Sequence, residues 1–238
     1  MPEPLPALNL IAQPGHRRAT LDIAREIEQR SFAGISVSSQ FSNMAQCLGL
    51  AFATERISFA TAIAPIYAQT AEEFAQQAAY IHEVSGGRFQ FGIGVAHAPS
   101  HIRMGVTPGK SLADIRAFVV KIRSYEGIGA LPPIILAALR RRMVALAAEI
   151  GDGLVFANGS RSHMTAALGA LPAAKRDDPN FFMITHYPQP ARHGTKQEHR
   201  GCFCGFERWR ATRCNFKRGS ARPSLLFFTE QRIGAGRR

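Results

Sequence analysis

Residues 92–99 read Gly-Ile-Gly-Val-Ala-His-Ala-Pro. Two glycines inside an apolar run mark a bulge, a tight packing contact, or a flat ligand lying against bare backbone. His97 follows them. An imidazole titrates near neutrality, so at a strand end it can hydrogen-bond a cofactor ring or carry a proton. A solvated loop histidine is the plainer alternative. Residues 139–142 read Leu-Arg-Arg-Arg, where a strand pattern gives way to a helix pattern. A helix start offers unpaired N–H groups and the positive dipole end, which suits phosphate, and adjacent arginines add charge. The competing reading is a solvated basic face. Further polar groups follow other strand-like runs: Ser38, Ser39 and Gln40, then Thr61 before Pro65, then Asn158, Ser160 and Arg161. His163, at a helix start, reads as solvated.

These residues need a scaffold that brings strand ends together. Apolar runs at 8–12, 35–38, 57–64, 89–95, 133–138, 154–157 and 181–184 read as seven strands. The run at 57–64 is apolar nearly throughout, as a strand buried on both faces should be. Helical spacing separates the strands. Thr20 is expected to open the first helix, with Leu21, Ala24 and Ile27 on one face, and residues 44–52 form the second. Thr70 and Glu73 match a capping box, Phe74, Ala78, Ile81 and Val84 follow on one face, and Gly86-Gly87 stops that helix. Leu112, Ile115, Val119 and Ile122 mark a further helix after a loop holding Pro99, Pro108 and Gly109. Met143, Leu146, Ala147 and Ile150 mark the next, and Met164, Leu168 and Leu171 the last.

Strand–helix alternation means βαβ units and a parallel sheet. The expected fold class is α/β: a (β/α)8 TIM-type barrel, incomplete at about seven βα units, with an open doubly wound sheet as the alternative. In a parallel barrel the loops after the strands carry the chemistry.

The pattern stops near residue 185. Residues 186–238 hold 12 Lys and Arg against 3 Asp and Glu, whereas residues 1–185 hold 17 against 14. The net charge of +12 therefore resides mainly in the tail and says little about partners of the rest. Three of the four cysteines, Cys202, Cys204 and Cys214, also lie there. Two units are expected: a barrel over 1–185 and a basic, irregular, poorly ordered tail over 186–238, in which residues 224–228 alone resemble a strand. A reading-frame shift near residue 185 accounts for all of these changes, and it predicts a barrel-like continuation in another frame. The Cys202-x-Cys204 spacing is not that of a zinc pair, so no metal is expected. Arginines interleaved with Phe203, Phe206, Trp209 and Phe216 could suit single-stranded nucleic acid, but a nucleic-acid partner is not expected. No run of about 18 apolar residues predicts a membrane span, and residues 1–9 lack the signs of a signal peptide. A cytoplasmic protein is the expectation.

Residues 87–99, Gly-Arg-Phe-Gln-Phe-Gly-Ile-Gly-Val-Ala-His-Ala-Pro, resemble the fourth-strand segment of luciferase-like flavin-dependent oxidoreductases. Residues 133–139, then Met143, Leu146 and Ala147, then Ile-Gly-Asp-Gly at 150–153 and Phe-Ala-Asn-Gly at 156–159 resemble that family's next strand, helix, turn and strand. The resemblance covers about residues 5–185. It implies a (β/α)8 barrel that binds FMN or the deazaflavin F420 with the ring at the C-terminal mouth, beside Thr61, Ala62, Gly94, Val95 and His97. It places the cofactor phosphate near Leu139, Arg140 and Arg141, where family members often carry glycine. Many deazaflavin users carry an acidic–His pair after the second strand; Ser39-Gln40 stands here, which favours FMN. His97 and Asn158 are the expected catalytic contacts.

The implied activity is an FMN-dependent monooxygenase reaction with O2 on a small organic substrate, or F420-dependent hydride transfer. A flavin reductase and a second copy of the chain are the protein partners considered. The alternatives are an inactive truncated copy of such an enzyme, nucleic-acid binding through the tail, and a barrel acting on a phosphorylated sugar.

Overall fold

The structure is a computed structural model that describes residues 5, 7–157, 161–178, 180–186 and 226–230. Strand β1 (Ala7–Leu10) leads through α1 (Arg17–Gln29) to β2 (Ile35–Val37), and α2 (Asn43–Ala53) leads to β3 (Phe59–Thr61) and β4 (Ala64–Pro65). Helix α3 (Ala71–Val84) precedes β5 (Phe89–Gly94), which is followed by α4 (Ala98–Met104) and α5 (Ser111–Arg123). Next come β6 (Ile134–Ala137), α6 (Arg141–Ile150), β7 (Gly153–Ala157), α7 (Arg161–Leu168), α8 (Ala173–Arg176), β8 (Phe182–His186) and β9 (Leu226–Glu230).

The strands run β3-β2-β1-β9-β8-β7-β6-β5, and β3 also pairs with β5, so the hydrogen-bonded order returns on itself. That ring rules out the open doubly wound sheet. The expected seven parallel strands are present, with the third split in two where the run at 57–64 is interrupted at Ala62-Ile63, a cis peptide. The βα repeat is incomplete, as the sequence indicates. The eighth place is filled by β9, which pairs antiparallel with both β1 and β8. It lies within the tail, two residues along from the strand-like run at 224–228. Cys202, Cys204, Cys214, Phe203, Phe206, Trp209 and Phe216 fall outside the described residues.

Alternation along the strands divides their side chains between two faces. Leu8, Leu10, Ile35, Val37, Phe59, Phe89 and Phe91 are buried in one cluster with Ile27 of α1, Phe74 and Ala78 of α3, and Ile115 and Val119 of α5. This strand–helix layer is the main core. The intervening residues Asn9, Ser36, Ala60 and Gln90 are in register with one another and face the barrel axis. The expected capping box of α3 is present: Thr70 Oγ1 accepts from Glu73 N, and Thr70 N donates to the Glu73 carboxylate. Thr20 does not open α1. The helix begins a turn earlier, and the Thr20 hydroxyl donates to the His16 carbonyl at 3.0 Å, a common fate for a threonine inside a helix. Helix α4 occupies part of the expected loop. Pro99 does not prevent it, because a proline in the first turn removes no helical hydrogen bond.

At the end opposite the strand C-termini, Arg88 closes the base of the barrel. Its guanidinium donates to the carbonyls of Ala51, Thr54, Ile57 and Ser85 and to Thr54 Oγ1, and lies over the Phe59 ring at 5.3 Å.

Candidate functional site

The parallel strands bring the loops after β2, β4, β5 and β6 to one end. The first turn of α2 organises that end. Gln46, nearly fully buried, acts as a stand-in for a backbone partner of β1: its amide donates to the Leu10 carbonyl at 3.2 Å and accepts from Ala12 N at 3.0 Å. One turn earlier, Asn43 Nδ2 donates to the Ile63 carbonyl at 3.0 Å, tying α2 to the β3–β4 junction. Immediately before α2, Phe41 and Ser42 adopt left-handed backbone angles (φ 53° and 62°), which non-glycine residues seldom adopt. These ties shape a cavity of about 410 Å³ between the β2–α2 loop, the β4–α3 segment and α4. Ser39, Gln40, Phe41, Asn43, Pro65 and Arg103 are among its lining residues. A groove of about 470 Å³ lies on the outer surface between α5 and α6, crossed by the Arg116–Glu149 ion pair, and is remote from the strand ends.

Beside the cavity lies a polar cluster that joins three elements. The Tyr67 hydroxyl donates to Asp114 Oδ2 at 2.6 Å. The Tyr67 ring meets His101 edge-on at 5.7 Å, and His101 Nε2–H donates to the Val95 carbonyl at 2.5 Å. Burial, the hydrogen bond to Asp114 and the charge of that carboxylate push the Tyr67 phenol up to about 12. Cys47 is fully buried in α2, and burial pushes its thiol up, so it is no thiolate nucleophile.

Thr61 and the glycine strand come together, but for packing. Thr61 Oγ1 donates to the Gly92 carbonyl at 2.7 Å, and a Cβ on Gly92 would stand 1.9 Å from the Thr61 carbonyl oxygen. The Thr61 carbonyl itself takes the space that the glycine vacates. At Gly94 the added Cβ would meet Ala137 and Ile63 at 3.0–3.1 Å. Ala62 is half-buried and donates its N–H to the Val37 carbonyl.

Val95 is half-buried, with its carbonyl held by His101. His97 is exposed at the N-cap of α4, and its side chain caps nothing. Leu139, Arg140 and Arg141 are exposed at the start of α6, and neither arginine forms an ion pair among the described residues. His163 is exposed, as the sequence suggests, and its Nε2–H donates to the Leu139 carbonyl at 2.5 Å, linking α7 to that loop. Asn158 lies outside the described residues.

Of the described residues singled out from sequence as catalytic or cofactor-binding, none lines the cavity; Ser39, Gln40 and Pro65, noted as strand-end groups, do. Sequence reasoning missed Gln46, Asn43, Tyr67, His101, Arg103 and Asp114. A buried-face Gln and Asn in one helix turn were visible as polar interruptions of an apolar helix. Tyr67 and Asp114 are 47 residues apart, and no local spacing joins them.

A parallel-stranded barrel with a cavity among its C-terminal loops is the architecture in which ligand sites gather at that end. The luciferase-like monooxygenase family matches residues 7–125, half of the chain, and the protein belongs to that family. No curated protein matches it. Among solved structures, the chain is similar to the coenzyme F420-dependent tetrahydromethanopterin reductase from Methanopyrus kandleri, with 15% identity, a TM-score of 0.65, and coverage of 77% of this chain and 65% of the reductase. An F420-dependent secondary alcohol dehydrogenase, in complex with an F420–acetone adduct, has 16% identity and a TM-score of 0.64, covering 76% of this chain and 67% of that one. The oxygenating constituent of 3,6-diketocamphane monooxygenase from the CAM plasmid of Pseudomonas putida, in complex with FMN, has 15% identity and a TM-score of 0.55, covering 72% and 65%. The chain thus spans about two thirds of the length of these structures. Among the described residues, no helix is long and apolar enough to cross a membrane.

Proposed function

We propose that the protein is a flavin- or deazaflavin-dependent oxidoreductase acting on a small organic substrate at the C-terminal mouth of the barrel. The observation that carries this reading is the cavity of about 410 Å³ at the strand ends of a chain in the luciferase-like family. Such a cavity falls in the size range of small-molecule sites. A bound cofactor of this kind would supply electron or hydride transfer.

The residues present fit such a group. The small side chains of Ala62 and Ala96, half-buried beside the mouth, would leave room for a flat ring, while Gly94 lies buried against Ala137 and Ile63 beneath them. Arg140 and Arg141, exposed and without an ion pair among the described residues, stand at the uncapped start of α6, where helix N–H groups and cations suit a phosphate. Leu139 would approach the same phosphate through its backbone. Thr61 and Val95 would act indirectly: the Thr61 hydroxyl fixes the β3–β5 contact, and the Val95 carbonyl, held by His101, sets the course of the chain to His97. His97 and Asn158 remain the proposed polar contacts to ring or substrate.

FMN is the proposed cofactor, because neutral Ser39 and Gln40 line the cavity where the resemblance would lead one to look for an acidic–His pair in a deazaflavin enzyme. The F420 reading is favoured by a different observation: the two F420-dependent proteins have the higher TM-scores, 0.65 and 0.64 against 0.55. With FMN, a separate reductase would supply the reduced form and O2 the oxidant.

Titrating the full chain with FMN and with F420, and following the fluorescence of each, tests the reading. Saturable binding of one of them, weakened in Arg140→Ala, is expected. Binding of neither would overturn it.

A further inference from the structure

The cavity at the mouth carries a charge asymmetry. Its lining is amphipathic: Phe41, Met44, Phe74 and Met104 supply apolar surface, and Gln40 and Gln69 supply neutral amides. Among the described residues, the charged one in the lining is Arg103, in the last turn of α4, and no aspartate or glutamate is there. Arg103 forms no ion pair and no side-chain hydrogen bond among the described residues. Asp114, the carboxylate of the polar cluster beside the cavity, is already engaged by the Tyr67 hydroxyl.

A guanidinium beside an apolar wall, without a protein counter-ion, binds a carboxylate well. It presents paired N–H donors in a plane that matches the two oxygens, and adjoining apolar surface removes water from one side of the pair. A phosphate dianion is less well matched here, since one cation faces it, whereas three consecutive arginines stand at residues 140–142 on the β6–α6 side.

We infer that this cavity selects a small substrate with an apolar body and a carboxylate, and that Arg103 is the specificity-determining residue that receives the carboxylate. The inference rests on the site proposed above and names the substrate class of that site. The cavity volume accommodates a one- or two-ring aromatic acid.

The test uses the full chain with 2-naphthoate and its neutral isostere 2-naphthamide, each titrated by calorimetry at low salt. The expected result is naphthoate binding about tenfold tighter than the amide, the size of one partly exposed charge-assisted contact. Arg103→Gln should abolish the preference while leaving the amide's affinity in place, and Arg103→Lys should retain part of it. Equal affinity for the two probes, no binding of either, or a preference that survives Arg103→Gln would overturn the inference. Inorganic phosphate that displaces naphthoate at comparable concentration would also overturn it, by assigning Arg103 to a phosphate. Failure to bind FMN or F420 is a separate measurement, and a naphthoate preference persisting without cofactor binding would leave the carboxylate site standing while removing the redox reading.

Discussion

The Tyr67 hydroxyl and Asp114 Oδ2 stand 2.6 Å apart, joining the segment after β4 to the first turn of α5 across the edge of the barrel mouth. Asp114 also lies where an acid complements the positive end of α5. The pair, with His101 against the Tyr67 ring, fixes the wall of the cavity that α4 completes.

The phenol is raised from 10.0 to about 12 by burial, the hydrogen bond and the neighbouring carboxylate. A folded-state value above the unfolded one means stability that is complete below the unfolded value and falls as pH rises towards the folded one. The contribution should therefore fade between about pH 10 and pH 12. Ultraviolet titration of tyrosinate should show one phenol ionising late, and Tyr67→Phe should remove that step and cost about 1–2 kcal/mol. A titration with no late component in the folded protein would count against the pair.

Glu28 of α1 accepts from the backbone N–H groups of Glu55, Arg56 and Ile57 at 2.7–3.0 Å, clamping the turn before β3. Burial works to raise its carboxyl, but those three hydrogen bonds and the charge of Arg56 hold it below the usual 4.5. A depressed value gives stability present above the unfolded pKa and lost as pH falls through the folded one. Glu28→Gln should lose about 1–3 kcal/mol at neutral pH and flatten the acid limb of the stability curve, read by denaturant melts at several pH values.

Arg88→Lys should destabilise by about 2–4 kcal/mol. A single ammonium cannot reach the four carbonyls and one hydroxyl that the guanidinium fork satisfies, and part-buried carbonyls that lose a charged donor are costly. Equilibrium unfolding in urea measures this. A loss under 0.5 kcal/mol, the ordinary size of a neutral surface change, would contradict the clamp.

Gly92→Ala forces a methyl to 1.9 Å from the Thr61 carbonyl, so β3 and β5 must separate. A loss above about 3 kcal/mol, or no soluble protein, is expected. The adjoining Thr61→Val removes the hydroxyl bond to Gly92 and should be milder, about 1 kcal/mol, and thermal melts rank the two.

Ending the chain before residue 226 would remove β9 and leave β1 and β8 with unpaired edges. Such a variant should aggregate at concentrations where the full chain stays dispersed, as measured by light scattering. Equal dispersity would mean that β9 does not protect those edges.

The repeating strand–helix order, the capping box at Thr70 and Glu73, the family resemblance and the change of character near residue 185 are all legible along the chain. All of these are local patterns of period, cap and composition, and neighbouring residues write them. The sequence also marked Gly92 as unusual without saying why. Tertiary structure decided the reason, since the Thr61 carbonyl that excludes a Cβ lies on a strand 31 residues away. It likewise decided that an antiparallel strand occupies the eighth place, because strand direction depends on pairing across the ring and not on the run of apolar residues. The cavity belongs to the same class. Gln46, Tyr67, Arg103 and Asp114 sit on four different segments, and only the closing of the barrel brings these segments to one end, where they shape and border the candidate cavity.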